Sequence, residues 1–118
     1  MKILIYTLFA CIVFSGTAQA QDSKVITGAD RMHVYLPMIK GKSVAVFANP
    51  TSLVNGVHLV DTLIKSGIKV VKIFGPEHGF RGDADAGEHV TDAKDKKTGI
   101  PVISLYGDHR KPTPEDLK

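Results

Sequence analysis

The sequence predicts an α/β fold: a parallel sheet with helices on both faces, of which this chain supplies an incomplete front part. Three observations predict it. Apolar runs at 43–48, 68–74 and 101–105 read as buried strands, rich in Val and Ile. Val57, Val60, Leu63 and Ile64 repeat at helical spacing between the first two runs. Thr113-Pro-Glu-Asp116 then reads as N-cap, first-turn proline and acidic first turn of another helix, two residues before Lys118. Strand, helix, strand, long crossover, strand and helix start follow one another as in a sheet with right-handed connections.

The first twenty residues read as a secretory leader rather than as part of the fold. Lys2 supplies the positive start, Ile3 to Phe14 an apolar stretch too short for a membrane span, and Ala18-Gln-Ala20 a small-x-small cleavage site. Leu8-Phe-Ala-Cys11 only faintly resembles a lipoprotein box, because apolar residues continue past Cys11. The protein is thus expected to be exported, periplasmic or extracellular, without stable membrane insertion after cleavage. Cys11, the chain's one cysteine, leaves with the leader, so residues 21–118 form no disulfide and carry no thiol chemistry. The formal charge of +3 falls to about +2 with Lys2 gone, which points to neither nucleic acid nor an acidic membrane surface as partner.

Along the mature chain, Met32, Tyr35, Leu36 and Ile39 mark one face of a first helix, interrupted by Pro37 and closed by Gly41. The run at 43–48 lacks alternation, as in a strand covered on both faces. Asn49-Pro-Thr-Ser52 ends it, and Pro50 removes the glycosylation signal that Asn49 and Thr51 would otherwise form. Asn55-Gly56 is a turn. The second helix carries Asp61 and Lys65 as an exposed i, i+4 pair and ends at Gly67. Residues 75–100 form a long loop in which Asp92 to Lys97 is a solvated charge run. A polar loop from Tyr106 to Pro112 follows the third strand.

The long loop is the candidate site. Phe74 to His89 spans 16 residues and holds Glu77, Asp83, Asp85, Glu88, His78, His89 and Arg81 among four glycines and a proline. Ordinary connections need neither this length nor this density of titratable groups. In parallel sheets ligands bind beyond the carboxyl ends of the strands, where Asn49, Glu77 and Tyr106 to Arg110 all fall. A Gly-rich dinucleotide cradle, a Walker loop and a nucleophile elbow are all absent. Carboxylate, imidazole and guanidinium chemistry remains, open to two readings. One is glycoside hydrolysis by paired carboxylates. The other is a metal site built from the Glu77–Glu88 loop, although its spacing fits no standard ligand motif. A non-catalytic module that binds cell-wall glycans would use the same groups.

Gly75-Pro-Glu-His-Gly-Phe-Arg-Gly-Asp-Ala-Asp-Ala-Gly-Glu88, Pro101-Val-Ile-Ser-Leu-Tyr-Gly107 and Arg110-Lys-Pro-Thr-Pro114 resemble the exo-β-N-acetylmuramidase (NamZ-type) family. Gly41-Lys-Ser-Val44 and Asn49-Pro-Thr-Ser52 fit as well. The resemblance implies a Rossmann-like N-terminal domain, followed by a second domain, and release of N-acetylmuramic acid from the non-reducing ends of peptidoglycan fragments. It implies Glu77 as catalytic acid with His78 beside it, and no metal or cofactor. Peptidoglycan-derived saccharides would be the partners, contacted by Asn49, Arg81, Asp83, Glu88 and Tyr106. Arg81 is expected to read the lactyl carboxylate of muramic acid through its planar fork, with a surface pair to Asp83 or Asp85 as the alternative. Glu77 is expected to be at least partly buried in the complete protein. The portion present is expected to be inactive alone.

Overall fold

The computed structural model describes residues 25–82 and 92–118. The leader, Asp83, Asp85, Glu88 and His89 therefore lie outside the described residues. The elements run α1 (Met32–Ile39), β1 (Ser43–Phe47), β2 (Leu53–Val54), β3 (Val57–His58), α2 (Leu59–Lys65), β4 (Lys69–Gly75), β5 (Ala93–Lys94) and β6 (Pro101–Ser104). Four strands form one sheet in the order β1-β4-β6-β5, with β1, β4 and β6 parallel and β5 antiparallel to β6. The α/β class is the predicted one, and the sheet is mixed rather than purely parallel.

Helix α1 continues through Pro37 to Ile39. It turns Tyr35, Leu36 and Ile39 toward the core, while Val34 and Met38 stay exposed. The Tyr35 hydroxyl donates to the Ala29 carbonyl at 2.8 Å, which ties the chain before the helix to its inner face. Asn55 and Gly56 both adopt positive φ, 48° and 78°. That pair of conformations makes the tight turn whose twist matches an antiparallel hairpin, and the turn joins β2 to β3, a hairpin not anticipated as such. Helix α2 ends in a double closure: Gly67 N–H donates to the Ile64 carbonyl at 2.9 Å and Ile68 N–H to the Leu63 carbonyl at 3.1 Å. Leu63 and Ile68 are both buried, so the closure and the core contact reinforce each other.

The core cluster joins Val46 and Ala48 with Val60 and Leu63 of α2, then Ile68, Val70, Ile73, Phe80 and Val102. Val70 and Ile73 are three positions apart, which simple alternation would put on opposite faces. The β1–β4 register solves this. Val44 pairs with Val70 and Ala45 with Lys72, so Val71 is an extra residue and the alternation resets after it. Val71 is 40% exposed while Ile73 is fully buried.

Two expectations are corrected here. Strand β1 is not covered on both faces, since Phe47 is 62% exposed and Ala45 is exposed as well. The run from Asp92 to Lys97 is not uniformly solvated, because it contains β5 and Asp95 is only 5% exposed. At the other end of the chain, Thr113 and Asp116 form a reciprocal capping box. Thr113 N–H donates to the Asp116 carboxylate at 2.7 Å, and Asp116 N–H to the Thr113 hydroxyl at 3.3 Å. It closes a turn over 114–117. Lys72 donates its ammonium to the Asp116 carbonyl, which holds that turn against β4.

Candidate active site

The three loops after β1, β4 and β6 meet at the carboxyl edge of the sheet because these strands are adjacent. The strand ends are tied directly: Ala48 N–H donates to the Phe74 carbonyl at 3.0 Å, and Leu105 N–H to the Gly75 carbonyl at 2.8 Å. Asn49, Glu77 and Tyr106 therefore start from neighbouring positions along one edge.

After β4 the chain makes a tight turn, with Gly79 N–H donating to the Pro76 carbonyl at 3.0 Å. The turn folds back onto its own strand. A side chain at Gly75 would meet the Phe80 nitrogen at 3.1 Å, so the absence of one permits the approach. Within this turn the side chains divide sharply. Glu77 and His78 are exposed, whereas Phe80 is 4% exposed and joins the core. His78 sits in the left-handed region at φ 67°, a conformation that L-residues hold only where the surroundings determine it. The burial expected of Glu77 refers to the complete protein; in this chain its side chain is exposed.

Arg81 is the anchor of the turn. Its Nη2 donates to Asp61 Oδ1 at 2.8 Å and its Nη1 to Asp61 Oδ2 at 3.2 Å; Nε and Nη2 each reach Asp95 oxygens at 2.9 Å. The guanidinium also lies 4.7 Å from the centre of the Phe80 ring. Asp95 is held further by the Thr98 hydroxyl at 2.5 Å and the Thr98 N–H at 3.1 Å, and Lys97 reaches Asp61 at 2.7 Å. The hydrogen bond to Arg81 is the largest cause of a carboxylate depressed to about 2 at Asp61 and lower still at Asp95. The same two carboxylates raise Arg81 further above its already high range. Among the described residues its partners are Asp61 and Asp95, and Asp61 pairs with Arg81 and Lys97, not with Lys65; Asp83 and Asp85 lie outside the described residues. All three guanidinium nitrogens are engaged by the Asp61 and Asp95 carboxylates, so among the described residues Arg81 braces the turn.

His58 supplies a second brace that sequence reasoning missed. Its Nε2 lies 3.1 Å from the Asn49 carbonyl and 3.0 Å from the Phe80 carbonyl. Its Nδ1 accepts from Val60 N–H at 3.3 Å and caps α2. Two carbonyl partners require the proton on Nε2, and the cap requires an open lone pair on Nδ1. One neutral ring thereby joins the loop after β1, the turn after β4 and the start of a helix. The edge of Phe80 packs against it, ring centres 5.3 Å apart. The only available signal was its position just before the periodic stretch from Leu59.

The Asn49 side chain is turned inward on its own loop. Its Oδ1 accepts from Thr51 N–H at 3.1 Å and from the Thr51 and Ser52 hydroxyls at 3.0 Å each. Pro50 packs toward the turn, since a side chain at Gly82 would meet its Cγ at 3.0 Å. Tyr106 lies beside Glu77: interaction with the Glu77 carboxylate holds the phenol above its usual range, and Arg110 nearby opposes that rise. Tyr106 and Glu77 are thus the described pair of expected site residues in mutual contact. Among the described residues no three His, Cys, Asp or Glu side chains converge as a metal site. No described helix is long and apolar enough to cross a membrane.

A carboxyl group at the tip of a braced turn, beside a phenol and open to solvent, is placed to exchange a proton with a bound molecule. The profile described as exo-beta-N-acetylmuramidase NamZ, N-terminal, matches residues 44–118. The peptidoglycan beta-N-acetylmuramidase NamZ of Bacillus subtilis (strain 168) is 46% identical over 110 residues, covering 88% of this chain and 26% of that protein. Two DUF1343 family crystal structures from Bacteroides fragilis NCTC 9343 superpose with TM-scores of 0.64 and 0.61, at 40% and 41% identity. They cover 80% and 70% of this chain, and 23% and 20% of theirs. The chain thus spans about a quarter of the length of its curated relative, and it belongs to the N-terminal part of the exo-β-N-acetylmuramidase NamZ family.

Proposed function

We propose that this chain is the N-terminal portion of an exported, exo-acting glycoside hydrolase that releases N-acetylmuramic acid from the non-reducing ends of peptidoglycan fragments. Glu77 is its catalytic acid. The observation that carries this reading is the placement of Glu77, exposed at the tip of a turn whose base is buried and ion-paired, at the carboxyl edge beside Tyr106. Family membership supplies the reaction class.

In the proposed step the Glu77 carboxyl delivers its proton to the glycosidic oxygen as the bond to the anomeric carbon breaks. The leaving sugar then departs neutral rather than as an alkoxide. A second carboxylate on the opposite face stabilises the oxocarbenium-like centre or activates water; Asp83, Asp85 and Glu88 follow in the same loop. His78 orients the acid or contacts sugar, and Asn49 lies at the neighbouring strand end. Closing a sugar and a second domain over the turn would supply the burial that Glu77 lacks in this chain. The portion present is therefore expected to be inactive alone.

Glu77→Gln in the intact protein tests the reading, because glutamine keeps size and most hydrogen bonds but holds no transferable proton. Release of N-acetylmuramic acid should fall by about 10²–10⁴-fold with the melting temperature unchanged. Activated aryl glycosides, whose leaving groups need little protonation, should suffer less. Equal losses on both substrates would remove the acid role.

A further inference from the structure

The sequestration of Arg81 leaves the sugar's carboxylate without its expected reader, and the loop after β6 offers another. Arg110 is exposed, and its Nε donates to the Gly107 carbonyl at 2.8 Å. That bond fixes the base of the guanidinium at Gly107, one residue from Tyr106 in the loop beside Glu77. Both terminal nitrogens of Arg110 have no hydrogen-bond partner among the described residues. The other cations around this edge are less suited. Lys72 is committed to the Asp116 carbonyl, and the His109 ring lies 3.0 Å from the Asp116 carboxylate. Lys111 is exposed but carries a point charge on a flexible stem.

We infer that Arg110, and not Arg81, recognises the carboxylate that a substrate carries on the sugar beside the scissile bond. The inference rests on the glycosidase reading above and assigns its substrate selectivity to one side chain. N-acetylmuramic acid differs from N-acetylglucosamine by an O-linked lactyl group, which ends in a carboxylate. The two terminal N–H groups of a guanidinium match the two oxygens of that carboxylate in a planar fork. A guanidinium pinned at Nε presents that fork with less freedom to lose on binding. The charge of Arg110 already acts on the Tyr106 phenol, which places the cation within electrostatic reach of the Glu77 pair.

The experiment measures binding of N-acetylmuramic acid and of N-acetylglucosamine to the intact protein, and to its Arg110→Ala and Arg110→Lys variants, by calorimetry. Hydrolysis of the corresponding chromogenic glycosides is followed in parallel. The wild type should prefer the acid sugar. Arg110→Ala should weaken that sugar by about 10–100-fold, the scale of a charge-assisted pair, and the neutral sugar by no more than about threefold. Lysine should restore only part of the preference. Because Arg110 is exposed, melting temperatures should stay within a degree or two of the wild type, about the scale of a neutral surface change. An unchanged ratio between the sugars in Arg110→Ala, or no binding of N-acetylmuramic acid by the wild type, would overturn the inference. Arg110-dependent binding without hydrolysis would sink the hydrolase reading and leave the inference standing.

Discussion

Glu77 and Arg81 stand four residues apart in one turn and occupy opposite environments. Glu77 is exposed at the tip, beside the Tyr106 phenol. Arg81 is 20% exposed, doubly ion-paired and stacked on a buried ring. One short motif thus contains both a presented group and the apparatus that presents it. The difference teaches that density of charged residues in a loop does not mark all of them as site residues. Some of those charges fix the loop so that others can act with little reorganisation.

The largest effect should separate the two halves. Phe80→Ala removes a ring that is 4% exposed and packed on both His58 and Arg81. It should cost about 3–5 kcal/mol of stability and lower activity only through the unfolded fraction and a loosened turn. Chemical denaturation of the intact protein is the measurement. Glu77→Gln should show the reverse profile, with activity lost and stability kept. Comparable loss of stability in both variants would show that tip and base are one packed unit.

Arg81→Lys sharpens the contrast by keeping the charge and losing the fork. Two carboxylates that now share four guanidinium hydrogen bonds would be left with at most partial pairing, and Asp95 is 3% exposed at its side chain. A loss of about 2–4 kcal/mol is expected, with no change in the preference for N-acetylmuramide over N-acetylglucosaminide. Acid should mimic this. Asp61 titrates near 2 in the folded chain, and Asp95 below it, against about 4 when unfolded. The unfolded state therefore binds more protons as pH falls, so the stabilisation is complete above about pH 4 and is lost toward pH 2. Melting temperature against pH should show that loss in the wild type, and a much flatter acid limb in an Asp61→Asn, Asp95→Asn double variant.

His58 falls between the two extremes, since it bears on the loops after two strands and on one helix. His58→Ala removes the cap on α2 and the donor to two carbonyls, worth about 1–2 kcal/mol together. Asparagine should recover the capping part, because it is an effective N-cap, but not the reach to Phe80. Full rescue by asparagine would show that the bridge between loops contributes nothing.

Much of this arrangement was legible in the residues, for local reasons. Strands with Val and Ile at inward positions, the Asn55-Gly56 turn, the Gly67 closure and the loop after β4 all depend on near neighbours in sequence. The parts that were not legible depend on partners far along the chain. Asp61 has a lysine four residues on, yet its carboxylate finds Arg81 twenty residues away and Lys97 thirty-six away. No periodicity encodes that choice. Asp95 lies in a run of exposed charges and differs from them only because one guanidinium and Thr98 meet it. The inward placement of both Val70 and Ile73 needed a bulge, which a strict count of two does not foresee.

The smallest effect concerns a polar group that, unlike the braces, has no hydrogen-bond partner among the described residues. Ser104 ends β6 next to the candidate site, is 5% exposed, and its Oγ has no hydrogen-bond partner among the described residues. Its backbone is satisfied, since Ser104 N–H donates to the Asp92 carboxylate at 2.9 Å. A buried hydroxyl without a bond costs free energy that an alanine would not. Ser104→Ala keeps the backbone bond and removes only the hydroxyl. In this chain the change should therefore be neutral or stabilising by up to about 1 kcal/mol, in contrast to every substitution at the base of the turn. Thermal denaturation of the 118-residue chain and of the intact protein should be compared for this variant. Destabilisation in the intact protein alone would mean that the hydroxyl gains a partner there, which would add Ser104 to the polar groups serving the strand ends. Destabilisation in both would show that the hydroxyl is already bonded in the chain, and the contrast with the braced residues would fail at this position.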